Sequence, residues 1–130
     1  MFTIVFVEPE TPGNIGALAR AMKNFGFTQL VLVNPKCDLK HPEIQGRAMH
    51  ALDIVQKARV VKTLDAAVKN AALVVGTTGK TTRSYDPKRA SITPRELTKK
   101  TAGLQNKEIT LVFGREGTGL SCNCARILQC

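Results

Sequence analysis

Tryptophan is absent from this 130-residue chain, and its rings amount to five phenylalanines and one tyrosine. So few rings argue against a stacking platform for single-stranded RNA, which needs exposed aromatic faces on which bases can lie. Long apolar runs are missing too. The opening run Phe2-Thr3-Ile4-Val5-Phe6-Val7 is too short for a signal peptide or a membrane span, and no basic stretch precedes it. A soluble cytoplasmic protein with no membrane partner is the expectation. Histidine is scarce: His41 and His50 lie nine apart in one helical pattern, without an acid or nucleophile constellation, and read as surface residues. Of the four cysteines, Cys37 stands alone while Cys122, Cys124 and Cys130 crowd the end. No histidine accompanies them and the spacing matches no common zinc pattern, so free thiols and no metal are expected.

What the chain does have is apolar residues at 43% and a formal charge of +9, from 19 Lys and Arg against 10 Asp and Glu. The length suits one domain with a single core. The charge suits a polyanionic partner, because each phosphate neutralised by a cation releases condensed counterions. It is unevenly placed. Residues 80–107 hold eight basic side chains (Lys80, Arg83, Lys88, Arg89, Arg95, Lys99, Lys100, Lys107) and only two acids, Asp86 and Glu96. A solvated basic surface kept for solubility would look the same, and charge alone does not decide between them.

Apolar β-rich runs alternate with helical patterns, the signature of a parallel sheet wrapped by crossover helices. The pattern predicts strands over 2–7, 29–33, 59–62, 72–77 and 108–113, the first, fourth and fifth being the most continuously apolar and therefore central. It predicts helices over 14–25, 41–55, 64–70 and 94–101. The first carries Ile15, Leu18, Ala19, Met22 and Phe25 on one face, with Gly26 as its stop; the last has Thr93 as N-cap, Pro94 at the first helical position and Glu96 behind. Residues 76–91 show no periodicity and read as one long loop, of a length that in compact domains is usually functional or disordered. The fold class is α/β, a Rossmann-like parallel sheet flanked by helices.

In open α/β sheets ligands sit beyond the carboxyl ends of the strands. Three such ends are rich in glycine: residues 8–16, 76–83 and 114–121. The second contains Gly79-Lys80-Thr81, but the first glycine of a phosphate-binding loop would fall on Val74, inside the strand, and Thr82-Arg83-Ser84-Tyr85-Asp86-Pro87 does not begin a helix. The NTPase reading fails on both counts, and no dinucleotide fingerprint follows any strand.

The first and third segments are more specific. Asn14-Ile15-Gly16 with Arg20 opening a helix, then Phe113-Gly114, Glu116 and Gly119-Leu120-Ser121 after a late strand, resemble the first two motifs of the SpoU/TrmH branch of the SPOUT RNA methyltransferases. Ala19-Arg20-Ala21-Met22-Lys23-Asn24-Phe25-Gly26 and Leu32-Val33-Asn34-Pro35 are similar to its TrmJ-like, tRNA-modifying members. The likeness runs from Ile4 to Ser121 in order and spacing.

The resemblance implies S-adenosylmethionine as cofactor, methylation of a ribose 2′-hydroxyl in RNA, tRNA first among substrates, a homodimer, and a C-terminal trefoil knot. By motif position Thr77, Thr78, Gly79, Gly114, Gly119 and Leu120 would meet the cofactor. Arg20 would be the catalytic arginine, with Asn14 orienting it or the ribose and Glu116 pairing with a basic side chain to hold the pocket loop. A guanidinium is a poor resting base, so Arg20 is better cast as a phosphate clamp that stabilises the developing 2′-alkoxide. Lys23, Lys80, Arg83, Lys88, Arg89 and Arg115 would contact RNA. Taken singly, Asn14 could be a helix cap, Glu116 a surface ion pair and Arg20 a solvated charge.

One departure stands out. The family's third motif opens its last helix, whereas here Cys122-Asn123-Cys124 follows Ser121 and the chain ends nine residues after that serine. The expectation is a single domain over 1–130, truncated at its C-terminus, with no residues for a final strand and helix and with the knot incomplete. Two functions stay open: a methyltransferase, or a catalytically inactive relative that binds RNA without methyl transfer.

Overall fold

The structure, a computed structural model, describes residues 2–76, 95, 99, 102–103, 107–114 and 128–129. β1 (Phe2–Val7) is β-branched and aromatic, and its four middle residues are fully buried. Burial on both faces is what an interior strand of a parallel sheet requires. β2 (Gln29–Val33) flanks it on one side and β5 (Ile109–Phe113) on the other, both parallel, with Phe6 opposite Leu32 and Phe113. β3 (Arg59–Val61) lies beyond β2, β4 (Leu73–Gly76) beyond β5, and β6 (Leu128–Gln129) beyond β4. The six-stranded order is β3-β2-β1-β5-β4-β6, and every neighbouring pair is parallel.

β1 and β2 keep their predicted bounds, and β3, β4 and β5 are slightly shorter at their ends. β2 joins β1 and β5 in the interior, with four of its five residues buried. β6 is a correction, since the end of the chain was expected to supply no further strand. Leu128 and Gln129 pair with Val75 and Gly76, a contact too short to leave a periodic pattern.

α1 (Pro12–Asn24) begins two residues earlier than predicted, because Pro12 occupies the first helical position, where a missing N–H costs nothing. It closes through Phe27 N–H donating to the Met22 carbonyl at 2.8 Å and Gly26 N–H to the Lys23 carbonyl at 3.2 Å, with Gly26 at φ 80°. That is the closure a left-handed glycine permits, so Gly26 is the predicted stop. Phe25 does not join the apolar face. The helix ends at Asn24 and leaves Phe25 77% exposed. Phe27 packs inward instead, its ring 5.2 Å from that of Phe2.

The predicted helix over 41–55 is broken. α2 (Pro42–Ala48) gives way to a 3-10 turn at Met49–Ala51 and then to α3 (Leu52–Gln56). Met49 sits at φ 53°, the left-handed region that a side chain rarely adopts. Ile44, Ala48, Ala51 and Ile54 remain buried through the break, so the helical spacing conceals it. His41, expected as a plain surface residue, caps α2: its Nδ1 accepts from the Glu43 N–H at 3.1 Å. α4 (Leu64–Val68) is capped by Thr63, whose Oγ1 accepts from the Ala66 N–H at 3.3 Å. In the predicted helix over 94–101, Arg95 and Lys99 are helical and exposed, and the remainder lies outside the described residues.

Two cores result. α1, α2 and α3 cover Ile4, Phe6, Leu30 and Leu32 on one face; α4 covers Val5, Val31, Val33 and Val112 on the other. Cys37 is half-buried against the first. Among the described residues no helix is long and apolar enough to cross a membrane, and no group of three or more His, Cys, Asp and Glu could hold a metal.

Candidate functional site

The chain runs outward from β1 to β2 to β3, then crosses back so that β4 and β5 lie on the other side of β1. A parallel sheet whose order reverses in this way opens a crevice at the carboxyl ends of the strands about the reversal, here β1 and β5. The loop after β1 and Gly114 after β5 both leave from that crevice, since Phe6 and Phe113 are direct neighbours. β4 also ends on a glycine, Gly76, beside Val112. Gly76 is buried, whereas Gly114 is half-buried and carries no Cβ, so a ligand could approach the backbone just past β5.

The loop after β1 is held firmly. Glu8 at φ 47° and Asn34 at φ 45° both occupy the left-handed region, one past each of the neighbouring strands β1 and β2. Their loops are tied by Glu8 N–H to the Val33 carbonyl at 2.7 Å, Lys36 N–H to the Pro9 carbonyl at 3.0 Å, and Asn34 Nδ2 to Glu8 Oε1 at 3.4 Å. Such conformations persist only where the surroundings impose them, and here they fix the chain's entry into α1.

Asn14 lies in the first turn of α1 and is exposed. It is not the cap, because Thr11 holds that position. Arg20 is exposed on the same helix and makes no hydrogen bond or ion pair among the described residues. Lys23 is differently placed: its Nζ donates to the His50 carbonyl at 2.8 Å and pairs with Asp53 at 3.3 Å. The break after α2 frees that carbonyl. The Lys23 hydrogen bond also holds the Asp53 carboxyl below the ordinary carboxylate range. Glu116, Thr77, Thr78, Gly79, Gly119, Leu120, Lys80, Arg83, Lys88, Arg89 and Arg115 lie outside the described residues, as do Cys122, Cys124 and Cys130, the long loop after β4 and the segment that would form a knot.

A separate groove of about 710 Å³ opens at the opposite, amino ends of the strands, lined by Lys57, Arg59 and Lys69 over Thr3, Gln29 and Glu108. The Thr3 hydroxyl lies 2.6 Å from Glu108 Oε1 and 3.1 Å from Gln29 Oε1. It is wide, shallow and far from the residues that the motifs single out.

The family model described as the SpoU rRNA Methylase family matches residues 1–129. The chain belongs to the SpoU methylase family. It is 42% identical over 122 residues to tRNA (cytidine/uridine/adenosine-2′-O-)-methyltransferase TrmJ of Pseudomonas aeruginosa (strain UCBPP-PA14), covering 91% of this chain and 45% of that protein. The crystal structure of TrmJ from Z. mobilis ZM4 superposes with a TM-score of 0.84 at 32% identity, over 99% of this chain and 57% of that one. The SpoU methyltransferase AviRb of Streptomyces viridochromogenes, solved in complex with the cofactor AdoMet, shares the fold with a TM-score of 0.64 at 18% identity, over 93% of this chain and 45% of that one. The α/β arrangement is thus that of SPOUT methyltransferase structures, and the TrmJ-like resemblance of the motifs is borne out. The chain spans about half the length of the curated relatives it matches.

One feature of this SpoU-family site escapes a reading of its motifs. Gly16 marks a helix crossing: a Cβ there would lie 2.5 Å from the Ile44 carbonyl oxygen, 2.9 Å from the Ala48 nitrogen and 2.9 Å from Arg47 Cβ. α2 is thereby drawn onto α1, and Arg47 comes with it. The small residues Gly16 and Ala48 are the only trace of this in the sequence, and pairing them requires the fold.

Proposed function

We propose that this chain is an S-adenosylmethionine-dependent RNA 2′-O-methyltransferase acting on tRNA. The observation that carries the reading is that Asn14 and Arg20 lie exposed on α1, the helix that follows β1, while β1 pairs with β5, the strand that Gly114 follows. Family membership and the tRNA-directed names of the relatives support the same chemistry.

Thr77, Thr78, Gly79, Gly114, Gly119 and Leu120 would hold the cofactor, and the half-buried backbone at Gly114, without a Cβ, fits a ligand lying against the end of β5. S-adenosylmethionine supplies an electrophilic methyl group there. Arg20 contributes a fixed positive charge and a planar donor fork, which grips a phosphate and stabilises charge growing on the ribose 2′-oxygen. The 2′-oxygen would bond to that methyl carbon as the carbon–sulfur bond breaks and its electron pair stays on sulfur, leaving a neutral thioether, while the hydroxyl proton would leave to a phosphate oxygen or to water. Asn14 orients the ribose or Arg20, and Glu116 steadies the loop after β5. Lys80, Arg83, Lys88, Arg89 and Arg115 contact RNA phosphates, which sets register without reading sequence.

The reading treats residues 1–130 as one domain, working in the cytoplasm as a homodimer with α1 near the interface. The exposed Phe25 at the end of α1 and the exposed Met49 support that assembly. The test is methyl transfer from labelled S-adenosylmethionine to unfractionated tRNA, with nuclease digestion to identify a 2′-O-methylated nucleoside. Transfer that depends on Arg20 supports the proposal. Binding of tRNA with no cofactor binding and no transfer overturns it in favour of the inactive relative.

A further inference from the structure

We infer that Arg47 of α2 forms, together with Arg20 of α1, a second phosphate-binding arm for the RNA substrate. The inference rests on the methyltransferase reading and assigns to that site a residue outside the motifs.

The geometry starts at the helix crossing. Arg47 Cβ lies 2.9 Å from the position a Cβ on Gly16 would take, while its Cγ and Nε lie 3.7 Å from the equivalent point on Gly13. The side chain therefore runs along α1 from Gly16 toward the start of the helix, in a channel that exists because both positions lack a side chain. Its guanidinium is carried toward the first turn of α1, where Asn14 sits and the strained loop after β1 enters.

Arg20 follows Gly16 by four residues and Gly13 by seven, so it shares their flank of the helix. Lys23 lies on this flank too, but is occupied by Asp53 and the His50 carbonyl. Glu43 also approaches Gly13, its Oε2 3.4 Å from the Cβ position, yet it forms no ion pair with Arg47. Arg20 and Arg47 make no hydrogen bond or ion pair among the described residues, and both are exposed. Two guanidinium groups on one flank that form no ion pair among the described residues, beside the expected ribose site, make a receptor for a phosphodiester, whose paired oxygens match the planar fork.

The experiment compares wild type with Arg47→Met, Arg47→Lys and Arg47→Ala. Methionine keeps an unbranched stem in the channel and removes every donor, so it separates packing from phosphate contact. Fluorescein-labelled unfractionated tRNA is titrated by anisotropy across a salt series. S-adenosylmethionine affinity is measured by calorimetry and the melting temperature by differential scanning.

Arg47→Met should bind tRNA roughly tenfold more weakly, with the slope of log affinity against log salt reduced by about one. Its melting temperature and cofactor affinity should be unchanged. Arg47→Lys should keep most of the salt slope and recover only part of the affinity. If Arg47→Met binds tRNA like wild type while Arg47→Ala merely melts earlier, Arg47 is a packing residue and the inference fails, although the methyltransferase reading stands. If wild type neither binds tRNA nor transfers methyl groups, both fall together.

Discussion

On the face of the sheet covered by α1 and α2, helix and helix meet with no room to spare, a Cβ on Gly16 lying 2.5 Å from a backbone oxygen. On the face covered by α4, the Thr110 hydroxyl is buried at 1% exposure with no hydrogen-bond partner among the described residues. The first face is fitted tightly and carries the arginines and the helix that leaves the crevice. The second is a plainer core that tolerates an unsatisfied polar atom. Accuracy is concentrated where side chains must be aimed, and slack is left where the sheet needs only to be covered.

The comparison can be broken most severely at Arg20, which acts in chemistry and not in folding. Arg20→Ala should lower the methyl-transfer rate by roughly two to three orders of magnitude, as for loss of a preorganised charge at a developing oxyanion. Calorimetry with S-adenosylmethionine should give an unchanged affinity; parallel loss of cofactor binding would place Arg20 elsewhere in the mechanism. Next comes Gly16→Ala, which forces α1 and α2 apart and should cost about 1–3 kcal/mol in a denaturant melt. Gly13→Ala, whose nearest neighbours are side-chain atoms at 3.4 and 3.7 Å, should cost far less. Equal effects would mean that the helix crossing is not the tight point.

The opposite face should respond with the opposite sign. Thr110→Val replaces an orphaned hydroxyl by a methyl group and should stabilise the chain by about 1 kcal/mol; a loss of stability would show that the hydroxyl is satisfied in solution. The smallest effect belongs to Asp53. Its carboxyl is held low by the Lys23 hydrogen bond, so the contribution is complete above the ordinary carboxylate range and fades as pH falls through its depressed folded value. Asp53→Asn should therefore differ slightly from wild type at neutral pH and converge with it in acid. Divergence in acid would reverse the assignment.

How much of this could be read beforehand depends on how local each cause is. β1 and β2 were legible to the residue, because a dense apolar run bounded by polar residues marks a buried strand by itself. Gly26 was legible as a stop for the same reason. The break at Met49 was not, since the buried positions from Ile44 to Ile54 keep helical spacing across it. Phe25 misled because its spacing fits the apolar face, while the chain reverses one residue too soon. At the site, Asn14, Arg20 and Gly114 came from linear motifs; the first two lie exposed on α1 and the third directly follows β5, the neighbour of β1. Arg47 belongs to no motif. Its approach to α1 is a long-range event between two helices, and β6 is a contact of two residues with a distant strand; neither leaves a periodic mark on its own segment.

The insertion of β5 between β1 and β4 has a consequence in time. Phe2 pairs with Ile109, so one edge of β1 has to wait for a strand made only after β2, β3 and β4. Between completion of β2 at Val33 and of β5 at Phe113, a ribosome working at roughly 5–20 residues per second needs roughly 4–16 s. Throughout that interval Ile4, Val5 and Phe6 present an unpaired apolar edge, the kind of template on which chains associate. Nascent chains stalled before Ile109 should accordingly bind chaperones or aggregate, and synthesis and emergence of β5 should end it; soluble, unaccompanied stalled chains would show that something else guards the edge. For this protein the hazardous period lies between the making of a central strand and the arrival of its second neighbour.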